Sequence, residues 1–157
     1  MDVMTTLKAT LQSDLTAAIR ARDEIVSSTI RMALAAITNE EVSGKVARTL
    51  TEDETVTVLT REGKKRREAI EAYTAANRSD LADKEAAELA VLERYLPAQL
   101  GADELRTLID AAVAEARAAG QEGMKAMGVV MKQLQPKVNG RADGAAVAAA
   151  VRAALGA

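Results

Sequence analysis

The chain contains no cysteine, no histidine, no tryptophan and no phenylalanine. Without cysteine there is neither a disulfide framework nor a thiolate nucleophile. Without histidine as well, the usual zinc ligands and the commonest general base are missing, and no metal or cofactor is expected. The aromatic residues are Tyr73 and Tyr95 alone. Alanine, leucine, valine and methionine must therefore fill the core, which favours helices packed closely through small side chains. No apolar run approaches the roughly 20 residues of a membrane span, and the start of the chain carries Asp2 instead of a signal peptide's basic and then apolar pattern. A soluble cytoplasmic protein with no membrane partner is the expectation.

What is present is apolar and charged in alternation. Apolar residues make up 48% of the chain, enough for a real core, and 157 residues fit one domain or two small ones. The formal net charge of −2 argues against wholesale neutralisation of a nucleic acid. It is unevenly spread, however. Residues 1–96 carry 14 Lys and Arg against 17 Asp and Glu, whereas residues 123–157 carry Lys125, Lys132, Lys137, Arg141 and Arg152 against Asp143 alone. A basic end on an acidic body points to an anionic partner.

Helical periodicity runs through nearly the whole sequence, and the expected fold class is all-α. A first helix is predicted from Thr5 to about Arg22, with Leu7, Leu11, Leu15, Ala18 and Ile19 inward. Asp23 caps a second, carrying Val26, Ile30, Ala33, Leu34 and Ile37 and ending near Gly44, a residue suited to a left-handed backbone. Thr51 to Glu54 spells a capping box for a third, which continues to about Ala76. Ser79-Asp80 opens a fourth, with Leu81, Leu89, Leu92 and Tyr95 inward and Pro97 after its end. Residues 97–101 read as a short hinge. Three shorter helices are then predicted, at about 103–118, 123–135 and 143–155. The expected division is an N-terminal four-helix bundle over residues 1–97 and a small three-helix unit over residues 98–157.

The densest charge run is Arg61 to Glu68. At 100° per residue, Val56, Leu59, Gly63, Ile70 and Tyr73 share the buried face, while Arg61, Lys64 and Lys65 point to solvent. These three form either a solvated face or a secondary basic patch for phosphates. Arg66 falls on the apolar side, where it either lays its stem over the core edge or pairs with an acid. Gly63 suggests that a neighbouring helix approaches closely, since glycine mid-helix costs about 1 kcal/mol against alanine. The acids Glu52-Asp53-Glu54 suit a helix N-terminus, Glu40-Glu41 read as an exposed helix end, and Glu85 with Glu88 is at most a weak oxygen-ligand pair. No catalytic constellation emerges.

Residues 124–144 concentrate the remaining signal. Met124, Met127, Met131 and Leu134 recur as one apolar stripe, read as packing. Pro136 is expected to stop that helix, Asn139-Gly140 to turn the chain and Asp143 to cap the next helix. A glycine-bearing turn that feeds a helix N-terminus leaves backbone N–H groups unpaired, and with Lys137 and Arg141 beside it the turn is a candidate phosphate site. The candidate RNA-binding residues are Lys125, Lys132, Lys137, Gly140, Arg141 and Gly144.

Three stretches resemble the YqeY family, whose fold also forms the tail domain of the GatB subunit of tRNA-dependent amidotransferases. They are Ile30-Arg31-Met32 followed by Asn39-Glu40; Glu88-Leu89 through Leu92-Glu93-Arg94-Tyr95-Leu96-Pro97 with Gln99-Leu100; and Met127-Gly128 through Pro136-Lys137-Val138-Asn139-Gly140-Arg141-Ala142-Asp143-Gly144. The resemblance implies a helical bundle followed by a three-helix unit, and a role in holding tRNA or other structured RNA during amidation carried out elsewhere. It also brings the family's label of carbon–nitrogen ligase with glutamine as amide donor. The leading expectation is a non-catalytic RNA-binding module. The alternative is a protein-interaction module that docks on amidotransferase subunits or another partner, and the third reading is an amide-transferring enzyme.

Overall fold

A computed structural model describes residues 5–156, and among them the fold is all-α, with seven α-helices and one 3-10 turn. The chain divides into two compact units, Met1–Leu96 and Pro97–Ala157.

The first unit contains α1 (Leu7–Ala21), α2 (Glu24–Glu41), α3 (Glu52–Ala75) and α4 (Ser79–Glu93). Their starts follow from capping chemistry. The Thr6 hydroxyl accepts from the Ala9 N–H, the Asp23 carboxylate accepts from the Val26 N–H, and Thr51 and Glu54 complete a reciprocal capping box. The α1–α2 connection is so short that Arg22 must take a left-handed backbone, φ 57°. The Glu52 carboxylate accepts from the Leu7 N–H at 3.1 Å, tying the start of α3 to that of α1. Leu11, Ile30, Ile37, Leu59 and Leu92 are fully buried at the centre. Tyr95, just beyond α4, donates its phenol to the Asp14 carboxylate of α1 at 2.6 Å. Burial and the adjacent carboxylate push the phenol up to about 12.

Several expectations for this unit shift. Helix α2 ends at Glu41, not Gly44: the Ser43 hydroxyl donates to the Glu40 carbonyl, and Gly44 does not adopt the left-handed backbone. Ile19 is 48% exposed, because the inward face of α1 is carried by Leu11 and Ala18. In α4 the buried positions are Ala82, Glu88, Val91 and Leu92, with Leu81, Leu89 and Tyr95 only half-buried. Gly63 is buried, yet a Cβ there would sit 3.7 Å from Leu89 Cδ1, an ordinary contact. No backbone approach demands a glycine.

Arg66 resolves in favour of an acid pair. Its Nη1 donates to Glu88 and, at 3.1 Å, to Glu85, while Nη2 lies 3.4 Å from Met32 Sδ. Arg66 and Glu88 are both buried. The Glu85–Glu88 pair is thus the counter-charge of an arginine, and no group of three or more acids placed to hold a metal occurs among the described residues.

The second unit contains α5 (Ala102–Ala118), the 3-10 turn Gly123–Ala126, α6 (Met127–Val138) and α7 (Gly144–Ala154). Its core joins Ile109, Val113, Val130, Leu134, Val147 and Val151. The 3-10 turn changes the helical phase, so Ala126, Val130, Leu134 and Val138 are buried while Met127 and Met131 pack at the edge. Met124 is correspondingly 51% exposed, contrary to the expected stripe. Pro136 does not stop α6. It lies in the last turn, where the helix forgoes the Pro136 N–H bond, and the Asn139 N–H still reaches the Gln135 carbonyl at 3.0 Å. The helix ends at Asn139, whose ψ of 123° is extended, and at Gly140 with φ 74°.

Candidate functional site

The turn between α6 and α7 is built by the local sequence. Gly140 supplies the positive φ that a side chain would resist, and the N–H groups of Arg141 and Ala142 both return to the Val138 carbonyl. The Asp143 carboxylate caps α7 through the Ala146 N–H at 3.3 Å. Gly144 is the first residue of α7, exposed, with open space where a Cβ would stand.

Three hydrogen bonds fasten residues 98–100 to this turn. The Gln99 amide donates to the Gly140 carbonyl at 3.0 Å, the Leu100 N–H donates to the Arg141 carbonyl at 2.8 Å, and Arg141 Nε donates to the Ala98 carbonyl at 2.9 Å. Two candidate residues therefore acquire structural work. Gly140 is buried, so its backbone does not offer itself to a ligand in the way the sequence suggested. Arg141 is half-buried and spends Nε on the clamp. Gln99 is not among the residues that the sequence marks as a site, although Gln99-Leu100 stands among the stretches that carry the family resemblance.

The lysines are different. Lys125, Lys132 and Lys137 are exposed, as is Arg152 on α7, and none of the four has an acidic partner among the described residues. Lys132 and Lys137 are five residues apart on α6, about 140° around its axis. They flank the helix on separate sides, with Gly128, Val129 and Pro136 on the exposed surface beside Lys132. Helix α5 carries four of the unit's six acids, Asp103, Glu104, Asp110 and Glu115, beside Arg106 and Arg117; Glu122 and Asp143 are the others. Residues 123–157, which hold α6 and α7, are the basic portion of the unit, with five cations against Asp143.

The cations of α3 contrast with these. Arg61 pairs with Glu40 at 3.5 Å, Lys65 with Glu62 at 3.2 Å and Arg67 with Glu93 at 3.7 Å. Lys64, exposed between them, is also engaged. The secondary patch of Arg61, Lys64 and Lys65 is largely compensated from within.

The sequence profile described as "Yqey-like protein" matches residues 8–155. An "Uncharacterized protein C22F3.15" of Schizosaccharomyces pombe is 34% identical over 92 residues, 58% of this chain and 72% of that protein. The "Altered inheritance of mitochondria protein 41, mitochondrial" of Pyrenophora tritici-repentis is 32% identical over 136 residues, 84% of this chain and 71% of that protein. Among the described residues, no helix is long and apolar enough to cross a membrane.

Proposed function

Because this chain belongs to the YqeY family, we propose that it is a non-catalytic helical module that binds structured RNA, tRNA in the first instance, through the α6–α7 portion of its C-terminal unit. The observation that carries this reading is the set of exposed cations without acidic partners, Lys125, Lys132, Lys137 and Arg152, on a segment where Asp143 is the only acid. The run on α3 has the higher density of charge but spends most of it on acids of α2, α3 and α4. Phosphates would meet the lysines, while the start of α7 is already capped by the Asp143 carboxylate and adds no free anion site. Arg141 would act chiefly by holding the turn.

Recognition of this kind reads backbone and shape, so little base preference follows; aromatic platforms for stacking single-stranded bases are absent from α5 to α7. The resemblance to the GatB tail supports a role beside a tRNA-dependent amidotransferase, delivering or steadying the tRNA while the amide is transferred elsewhere. The test is fluorescence anisotropy of labelled total tRNA against the full chain and a Lys132→Ala/Lys137→Ala variant. The reading expects the variant to lose about tenfold in affinity at unchanged helicity. Equal affinity of the two proteins contradicts it.

A further inference from the structure

Helix α2 carries a second feature, independent of the RNA reading. Its buried face is satisfied by Ile30, Ala33 and Ile37, but its outward face is not simply polar. Ile25, Ser28, Met32 and Ala35 follow one another at spacings of three and four residues and are all exposed, Ile25 to 46% and Met32 to 52%. Such spacing places them on one stripe. Two open grooves lie along it, one of about 620 Å³ at the Ile25 end and one of about 560 Å³ at the Met32 end. From Ile25 to Ala35 the stripe is about 15 Å long.

The walls and rim of the first groove define its chemistry. Ile19 of α1, itself 48% exposed, faces it together with Ile25. Ser27 and Ser28 form a quiet floor, because their hydroxyls donate back to the carbonyls of Asp23 and Ile25. The rim holds Arg22, Arg31 and Lys84, none with an acidic partner among the described residues. Glu88 also lines the groove, but its carboxylate is taken from beneath by the buried Arg66. Of the lining acids only Glu24 is left to offset three cations. At the other end, Met32 is held against the Arg66 guanidinium and offers a soft, adaptable contact.

We propose that the outward face of α2 docks one amphipathic, acidic helix of a partner protein. Its apolar side would lie on Ile25, Met32 and Ile19, and its carboxylates would meet Arg22, Arg31 and Lys84. The geometry is that of a helix laid in a groove. Apolar side chains between unpaired cations favour this occupant over a phosphate backbone, which would gain nothing from two isoleucines and a methionine. No aromatic ring lines either groove to stack a base.

The experiment uses the full chain and a labelled synthetic peptide about four helical turns long, with leucines at helical spacing flanked by glutamates. A scrambled peptide of the same composition serves as control. The amphipathic peptide should bind about tenfold or more tighter than the scrambled one. That advantage should vanish both in Ile25→Ser/Met32→Ser and in Arg31→Ser/Lys84→Ser, with circular dichroism unchanged. Lys132→Ala/Lys137→Ala should bind the peptide as the parent does, which separates this surface from the RNA reading. Equal binding of the two peptides, or undiminished binding by the α2 variants, overturns the proposal. So does displacement of the peptide by a uridine-rich RNA whose own binding is lost in the same variants, since the groove would then hold nucleic acid.

Discussion

Arg141 Nε donates to the carbonyl of Ala98 across 2.9 Å, so a cation that reads in the sequence as a phosphate ligand is a brace of its own unit. With the Gln99–Gly140 and Leu100–Arg141 bonds it fixes residues 98–100 against the α6–α7 turn. Arg141 and Lys137 stand four residues apart, yet their substitution should have opposite signatures. Arg141→Ala should lower the unfolding midpoint, at a cost of about 1–2 kcal/mol for a hydrogen bond from a charged donor. Lys137→Ala should leave the midpoint within about 0.5 kcal/mol of the parent and lower RNA affinity. Thermal unfolding and RNA titration of both variants check the pair. A Lys137→Ala protein as destabilised as Arg141→Ala would show that the lysine too is structural.

The buried Arg66–Glu88 pair makes a second prediction. Removing the arginine strands two carboxylates, one of them buried, and Arg66→Ala should cost about 3–5 kcal/mol. Replacing both partners with apolar residues of similar volume, Arg66→Met/Glu88→Leu, removes the buried charges together and should recover most of that loss. Urea unfolding of the two variants decides it; equal losses would mean that packing, not charge, dominates the site.

Acid should weaken the start of α3. Arg48 at 2.6 Å and the Thr51 N–H together hold the Glu54 carboxyl down at about 2. A depressed folded-state value means that the stabilisation is fully present above the unfolded value, near 4.3. It is then lost as pH falls from there through about 2. Melting temperature followed over this window should fall less steeply in Glu54→Gln than in the parent. Parallel pH profiles would remove Glu54 from the account.

Gly63→Ala should stabilise the protein. The position is helical, and the new methyl would meet Leu89 Cδ1 at 3.7 Å and Leu96 Cδ1 at 3.8 Å without compression. A gain of about 0.5–1 kcal/mol follows from helix propensity and the stiffer unfolded chain. A fall in the unfolding midpoint would show that the α3–α4 contact tolerates no added volume.

Much of the fold is legible in the sequence because short-range chemistry sets it. Thr51, Asp23 and Asp143 mark helix starts through side-chain caps that depend only on the next three residues. Pro136 and Gly44 mislead for the opposite reason: whether a proline ends a helix or rides in its last turn depends on the packing of Val138 into the α5–α7 core. The exposed lysines are readable from their spacing alone. The service of Arg141 and Gln99 is not, because their partners lie 43 and 41 residues away in the chain. Arg22, Arg31 and Lys84 are likewise scattered in sequence, and only the turn at Arg22 and the packing of α4 gather them around one groove.

The salt dependence of tRNA binding tests the central claim most directly. Each lysine that neutralises a phosphate contributes about 0.7–0.9 to the slope of log affinity against log salt. The full chain should therefore bind tRNA with a steep negative slope, and Lys125→Ala/Lys132→Ala/Lys137→Ala should flatten it by about 2–3 while keeping its helicity. A triple variant with the same affinity and the same slope as the parent would contradict RNA binding through this surface.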